Sequence, residues 1–466
     1  MDQTQDHHDR RISPIQRLSS TVADPSAPAY IGGVMIVEAG PLLDTEGHLR
    51  LTEIRSRIER RLSRLPELRR RAYFPGPLQG RPVWVDDAGF VTERHIRAGK
   101  VDSPGGEDEV LRTAERILRD PLDRSHPPWE LWFLVGLADG HIAVVLKLHH
   151  AIADGLAAVQ IMMTLFDFTP AAPDPPAVPW APLPLPSRRA LLSDNLLAKA
   201  GAFAGALAAL RHPRRLTNDV SDLRRTITMS SQAPKTSFNR PVPGGSSNQV
   251  RVLHADLEPA RVAAHAVGAK VNDVVLDIAA GGLRDLLLSR GEQVTGLHLF
   301  AMVLVTLRSP AEARALGNQA GFIIVPLPVG EPDDQHRLRL IGAATQRAKA
   351  GQHPAYFQAL GTFSVVSAKV APALMAHQRF MNLIATNVPG PPVPLYLLGA
   401  RILDFIPLLS GFLGGNVTVC FCALSYAGKL NLTVIADAMA VPDVDRVLRG
   451  MERTWQALAH APAPSA

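Results

Sequence analysis

Cysteine is nearly missing: Cys420 and Cys422 are the only two in 466 residues. Two cysteines build no disulfide framework. At i and i+2 on a strand their Cα atoms lie roughly 6.7 Å apart, near the limit for a bridge. They read as buried thiols in a reducing compartment, and Cys-x-Cys alone is a weak metal signal. No run of basic residues is interleaved with aromatics, which make up 5% of the chain, so nucleic acid is a weak reading. Met1 to Arg11 is charged and polar, and no apolar signal segment is expected there. One chargeless stretch, Phe405 to Leu424, has the 20 residues of a membrane span,. Pro407, Gly411, Gly414, Gly415 and Asn416 break it into two short apolar pieces, the second of which, Val417 to Leu424, reads as a strand. Also missing are a Gly-x-Ser-x-Gly elbow, a P-loop and a Gly-x-Gly-x-x-Gly turn. The plainest hydrolase, kinase and dinucleotide readings go with them. The expected location is cytoplasmic.

What is present is a globular composition, 46% hydrophobic with a net charge of +6, and enough chain for two cores. Such a mild positive balance reads as ordinary surface. Strands are expected at Ala29 to Glu38, Pro82 to Asp86, Trp129 to Val135 and His141 to Leu148. The last two flank Ala138-Asp139-Gly140, a hairpin signal. Leu51, Ile54, Ile58 and Leu62 recur at helical spacing. Arg69-Arg70-Arg71 fits a solvated face or a phosphate contact equally. Pro170 to Pro186 is too rich in proline for helix or central strand. It is followed by an Ala-rich helix, Arg188 to Arg215, which either bridges or lies on a membrane. Later strands are expected near Val250, at Leu297 to Leu307, Phe322 to Pro328, Leu383 to Pro392 and Leu430 to Ala436. Helices are expected at Val271 to Leu287, Gln335 to Lys349, Gly361 to Leu374 and Val444 to Leu458. The division is a half at 1–169, a connection at 170–247 and a half at 248–466, each half an α/β unit with mixed sheets.

The chain is organised around His149-His150-Ala151-Ile152-Ala153-Asp154-Gly155. An apolar strand precedes it. Leu156, Val159, Met162, Met163 and Phe166 follow at helical spacing, with Asp154 placed to cap that helix. Successive strand side chains point to opposite faces, so one imidazole can face a cavity while the other packs behind it. A neutral imidazole can take a proton from a hydroxyl, because its pKa of about 6.5 lies near working pH. No metal is expected, since Asp154 is the only further ligand candidate nearby.

HHxxxDG at 149–155 resembles the signature of acyltransferases with the chloramphenicol-acetyltransferase-like fold. Pro121-Leu122-Asp123-Arg124-Ser125-His126-Pro127-Pro128-Trp129-Glu130 narrows this to bacterial wax ester synthase/diacylglycerol acyltransferases. Asn272-Asp273-Val274-Val275-Leu276 resembles that family's Asn-Asp motif. Leu307-Arg308 with Leu316-Gly317-Asn318-Gln319 resembles its second-half strand and loop. Asn387-Val388-Pro389-Gly390-Pro391 resembles its late turn. The segment Leu18 to Asp24 is shorter than the family's opening, and Pro128 and Thr306 stand where Leu and Ser are usual.

The resemblance implies two chloramphenicol-acetyltransferase-like halves with a channel between them. It implies O-acyl transfer from long-chain acyl-CoA to a fatty alcohol or diacylglycerol, with acyl-CoA a substrate and no cofactor. His150 is expected as general base and His149 as a brace behind it. Asp154 is expected to pair with Arg308 across the halves. Asn272 either caps its helix or donates to the oxyanion. Asn387, Pro389 and Gly390 are expected to shape a turn beside the channel. Gly155 permits close backbone approach or helix entry. Lipid substrates imply contact with the inner membrane face or lipid droplets, through Pro407 to Phe412 or the Ala-rich helix. Two alternatives remain: a condensation-type enzyme using carrier-bound acyl groups, and an inactive relative that binds acyl-CoA or lipid.

Overall fold

The computed structural model describes residues 29–76, 78–80, 82–210, 233–242, 247–306, 320–350 and 378–460, with backbone alone at 202–210, 306 and 320. The first part runs β1 (Tyr30–Val37), α1 (Leu51–Arg61), β2 (Arg70–Tyr73), β3 (Val83–Asp86), β4 (Ile96–Lys100), α2 (Glu107–Arg119), β5 (Trp129–Val135), β6 (Ile142–His149) and α3 (Gly155–Leu165). A proline-rich strap then leads into α4 (Arg188–Leu210). The second part runs β7 (Asn248–Asp256), α5 (Leu257–Ala266), α6 (Val271–Ser289), β8 (Leu299–Thr306), β9 (Ala320–Leu327), α7 (Asp334–Ala350), β10 (Leu383–Pro389), β11 (Tyr396–Leu397), β12 (Ala400–Ser410), β13 (Val419–Tyr426), β14 (Lys429–Asp437) and α8 (Val444–Ala459). The expected helix at Gly361 to Leu374 lies outside the described residues.

The architecture is α/β with mixed sheets, as expected, and the described residues form two six-stranded sheets and the two-stranded β2-β3. One six-stranded sheet has the order β11-β12-β1-β6-β5-β4 and the other β7-β14-β13-β10-β8-β9. Most pairings are antiparallel. β4 with β5, and β10 with both β13 and β8, are parallel. The apolar run of β6 is buried on both faces because β1 and β5 flank it and both of its sides meet packed side chains,.

β12 belongs by sequence to the second half but lies in the first sheet, antiparallel to β1, with Gly33 opposite Pro407. The sequence does not predict a strand here, because Pro407 and the glycines after it read as a turn cluster. The carbonyls on the strand's open side are taken by side chains of β14. Asn431 Nδ2 donates to the Phe405 carbonyl at 2.8 Å, and Thr433 Oγ1 donates to that of Pro407 at 2.8 Å. Asn431 and Thr433 are fully buried, so these bonds also satisfy groups that would otherwise be costly to desolvate. A shared core fills the space between the sheets, with Val34, Val145, Ile406 and Leu408 meeting Val250, Ile384, Cys420 and Ile435.

Two arginines of the basic run near residue 70 are held by the first half and the strap. Arg69 is buried, its guanidinium over the rings of Phe90 and Trp180 at 5.4 and 5.0 Å, and Arg70 pairs with Asp86 at 3.1 Å. This stack pins the proline-rich strap to the first half. The remainder of the strap is anchored by Asp174, which pairs with Arg57 and Arg60 of α1.

Candidate active site

β6 ends at His149, opposite Tyr30 of β1. The His149 ring meets the Tyr30 ring edge-on at 5.6 Å, and its Nδ1 accepts from the Ala151 amide at 3.1 Å. Burial pushes this imidazole down to about 4, with His150 and Arg124 adding to the effect. Two residues earlier, on the same side of the strand, Lys147 places its ammonium 4.6 Å from the Tyr30 ring centre,. That ammonium donates to the Ile117 carbonyl at 2.7 Å and to that of Asp120. Burial lowers it to about 8. The Tyr30 hydroxyl accepts from the Leu122 amide at 2.8 Å. His149, Lys147 and Tyr30 thus hold the Pro121 to Glu130 segment against the strand, and His149 faces away from the cavity described next.

His150 turns the opposite way. Its amide donates to the Ala29 carbonyl at 3.0 Å, and its ring lies 5.2 Å from that of Phe412. It is 5% exposed and lines a cavity of about 540 Å³ between the two sheets, within the range of small-molecule sites. Burial lowers its pKa, while a hydrogen bond to its own main chain and the charge of Asp154 raise it. The ring is therefore held neutral near pH 7, with a nitrogen able to accept a proton.

Asp154 caps α3, its Oδ1 accepting from the Ala157 amide at 2.9 Å, and it also lines the cavity. Its expected partner Arg308 lies outside the described residues, as do Leu307 and the Leu316 to Gln319 loop. Gly155 follows. A Cβ there would sit 2.6 Å from Val388 Cγ2, so the glycine serves close approach of α3 to β10.

Asn272, Asn387 and Pro389 line the same cavity from the second half. Asn272 does not cap α6. Lys270 stands at the cap position with no side-chain cap bond, and Asp273, three residues on, accepts from the Lys270 amide at 2.9 Å. Asn272 is already the second residue of the helix, past the cap position, and it lines the cavity wall. Gly390 stands one residue beyond β10 with its amide 3.4 Å from Ser425 Oγ.

Other wall residues carried no local signal in the sequence. Thr386 precedes Asn387 on β10, Cys422 lies beside Thr386 in the parallel pairing, and Phe405 and Leu408 come from β12. Cys420 and Cys422 are free and buried, with sulfurs 3.7 Å apart, and burial pushes the Cys422 thiol up. The segment Pro407 to Phe412 is not the lipid-facing surface expected of it. Pro407, Leu408 and Leu409 line the cavity and Phe412 packs on His150, because β12 turns this apolar run inward. Among the described residues no three His, Cys, Asp or Glu side chains gather as a metal site.

Residues 12–275 match the model of the wax ester synthase/diacylglycerol acyltransferase catalytic domain, and residues 316–459 match that of the WS/DGAT C-terminal domain. A Mycobacterium tuberculosis protein named as a diacylglycerol O-acyltransferase is 30% identical over 449 residues, 92% of this chain and 93% of that protein. A Mycobacterium bovis protein of the same name is 29% identical over 434 residues, 91% of this chain and 89% of its own length. Among solved structures, the wax ester synthase/diacylglycerol acyltransferase of Marinobacter aquaeolei VT8 superposes with a TM-score of 0.68 at 21% identity, covering 96% of this chain and 98% of that one. The first condensation domain of the CDA synthetase superposes with a TM-score of 0.60 at 18% identity, covering 98% and 97%. These two likenesses concern the fold. The matched residues span the histidine pair, both sheets and the cavity walls, and the chain belongs to the wax ester synthase/diacylglycerol acyltransferase family.

Proposed function

We propose that this chain moves a long-chain acyl group from acyl-CoA to the hydroxyl of a fatty alcohol or diacylglycerol. The observation that carries the reading is a neutral imidazole, His150, facing an apolar cavity between the two halves with two amide side chains in its walls. The names of the mycobacterial relatives support acyl transfer onto diacylglycerol. His150 accepts the hydroxyl proton as the alcohol oxygen attacks the thioester carbonyl. Asn272 or Asn387 donates to the oxygen that gains charge. The tetrahedral species collapses, the C–S bond breaks, and the departing sulfur takes the proton back from His150. The products are an ester and free CoA, with no covalent enzyme intermediate. Asp154 pairs with Arg308 to hold the loop, and His149 braces it. The halves 1–169 and 248–466, joined by 170–247, act as two walls of one channel.

Among the described residues no helix is long and apolar enough to cross a membrane. A peripheral lipid contact is supported by exposed apolar side chains around the start of α4. Leu196 and Leu197 stand out beside the hairpin tip carrying Phe74 and Leu78, whose carbonyl at Leu78 accepts from Asn195 at 2.6 Å. Arg188, Arg189 and Lys199 flank them, a pattern suited to anionic lipid.

The test is free-CoA release from palmitoyl-CoA with hexadecanol or diacylglycerol. Release with either supports the reading. Ester or amide formation only from an acylated carrier protein, with the carrier thiol freed, supports a condensation-type enzyme, which has the same fold. Tight binding without release supports an inactive relative.

A further inference from the structure

One cation breaks the pattern of an otherwise apolar and amide-lined cavity. On α7 the buried stripe runs Leu338, Ile341 and Thr345 at helical spacing, each nearly inaccessible,. The stripe ends at Ala348, half-buried against the core, and the residue after it is Lys349. It lies two turns beyond Gly342, where a Cβ would come within 3.2 Å of Ala269 Cβ in the turn before α6. The inward face of α7 therefore runs past the start of α6 and ends at the cavity rim. There Lys349 is exposed and lines the cavity together with Asn272, Leu304 and Ile323. It is the only cation among the described residues of the lining, and Asp154 is the only carboxylate. Being exposed, this lysine costs nothing in packing, and at the rim its charge is available to an anionic group entering the cavity,.

Of the two substrates in the proposed reaction, one is charged. A fatty alcohol or diacylglycerol is neutral, whereas coenzyme A carries phosphates. We propose that Lys349 marks the mouth through which the acyl donor enters and recognises a coenzyme A phosphate there, so that the acyl chain threads past Asn272 toward His150. This rests on the acyl-CoA reading of the site. The lysine acts as a point charge on a flexible stem. Its contribution is modest, donor-specific and sensitive to salt. The neutral acceptor then reaches His150 without involving Lys349.

The experiment compares wild type, Lys349→Glu, Lys349→Gln and the control Arg347→Glu, which reverses a charge in the same turn at a residue that does not line the cavity. Two donors are used, palmitoyl-CoA and the palmitoyl thioester of N-acetylcysteamine, which has no phosphate. Expected is a rise in KM for palmitoyl-CoA of roughly ten-fold for Lys349→Glu and about three-fold for Lys349→Gln, shrinking at high salt. KM for the phosphate-free thioester and for hexadecanol should not follow, and Arg347→Glu should resemble wild type. Equal effects on both donors, an effect on hexadecanol, or no effect on palmitoyl-CoA would overturn the assignment. If the wild type releases no CoA with any acceptor, the proposed reaction fails, and calorimetric titration with coenzyme A still decides the lysine. Weaker binding by Lys349→Glu supports it, and equal binding overturns it.

Discussion

Gly155 lies against Val388: a methyl on the glycine would come within 2.6 Å of Val388 Cγ2. The first residue of α3 thereby touches the strand that carries Asn387, and two cavity walls from opposite halves meet at one point. Val388 is β-branched and has little rotamer freedom to yield. Gly155→Ala should therefore lower stability by about 1–3 kcal/mol through overpacking and reduce turnover by displacing the loop that holds His150. Adding Val388→Ala should recover part of both. Thermal melting with CoA-release rates checks this. A Gly155→Ala protein that melts and turns over like wild type would remove the close-approach role.

Asp154 distinguishes a cap from a cross-half pair. Losing only the Ala157 amide bond costs about 0.5–2 kcal/mol, whereas stripping one partner from a buried ion pair costs about 3–5 kcal/mol. With Arg308 as partner, Asp154→Ala should show the larger loss in denaturant melts. Asp154→Asn, which keeps a capping oxygen but not the charge, should retain much of that loss. A loss confined to the smaller range, and abolished in Asp154→Asn, would leave only the cap.

How much of this was legible in the sequence depends on how local the signal is. β5 and β6 read directly, because two apolar runs flank an Asp-Gly turn. The histidine pair read directly too, because a strand end and a helix start frame it. β12 did not. Its central Pro407 argues against a strand, but its carbonyl, and with it the position of the missing N–H, faces the open edge of β12, where Thr433 donates to that carbonyl,. Asn272 reads equally as a cap or a cavity residue, and only the start of the helix at Val271, with Asp273 accepting from the Lys270 amide, separates the two. Pro407 to Phe412 reads as lipid-facing from composition alone. Only its pairing with β1 turns it inward. Thr386, Phe405 and Lys349 reach the cavity from separate segments, and nothing within each segment marks it.

The two halves are also joined by charge, and this sets a pH dependence. His254 of β7 contacts Glu107 of α2 at 2.6 Å, Asn431 of β14 at 2.9 Å and Asp404 of β12 at 3.5 Å. Lys429 also approaches Asp404, at 3.8 Å. Asp404 and Glu107 push the His254 ring up to about 10. The folded protein thus holds this proton more tightly than the unfolded chain, whose imidazole titrates near 6.5. The stabilisation is complete below about 6.5 and is lost as pH rises toward about 10. Lys147, lowered to about 8, works in the opposite direction above that pH. The informative quantity is therefore the difference in Tm between wild type and His254→Gln across pH 6 to 10, which should narrow as pH rises. A constant difference would show that the ring's charge does not join the halves.

The second half has its own buried pair, Arg337 Nε with Asp277 Oδ1 at 2.7 Å, both essentially inaccessible. Burial pushes Asp277 up to about 7 even beside the guanidinium. Arg337 also holds Asp334 and, at 3.3 Å, Thr454 of α8. Arg337→Met strands Asp277 in the core and should cost about 3–5 kcal/mol. Arg337→Met with Asp277→Leu should recover most of it. Denaturant midpoints of the three proteins check this, and a mild single-variant effect would contradict it.

The most direct measurement of the central claim is turnover by His150→Ala beside His149→Ala, each first shown by circular dichroism and melting to keep the wild-type fold. A general base contributes typically ~10²–10⁴ in rate, so CoA release by His150→Ala should fall by at least about a hundred-fold while His149→Ala retains a measurable fraction. A folded His150→Ala protein that turns over palmitoyl-CoA near the wild-type rate would contradict the account.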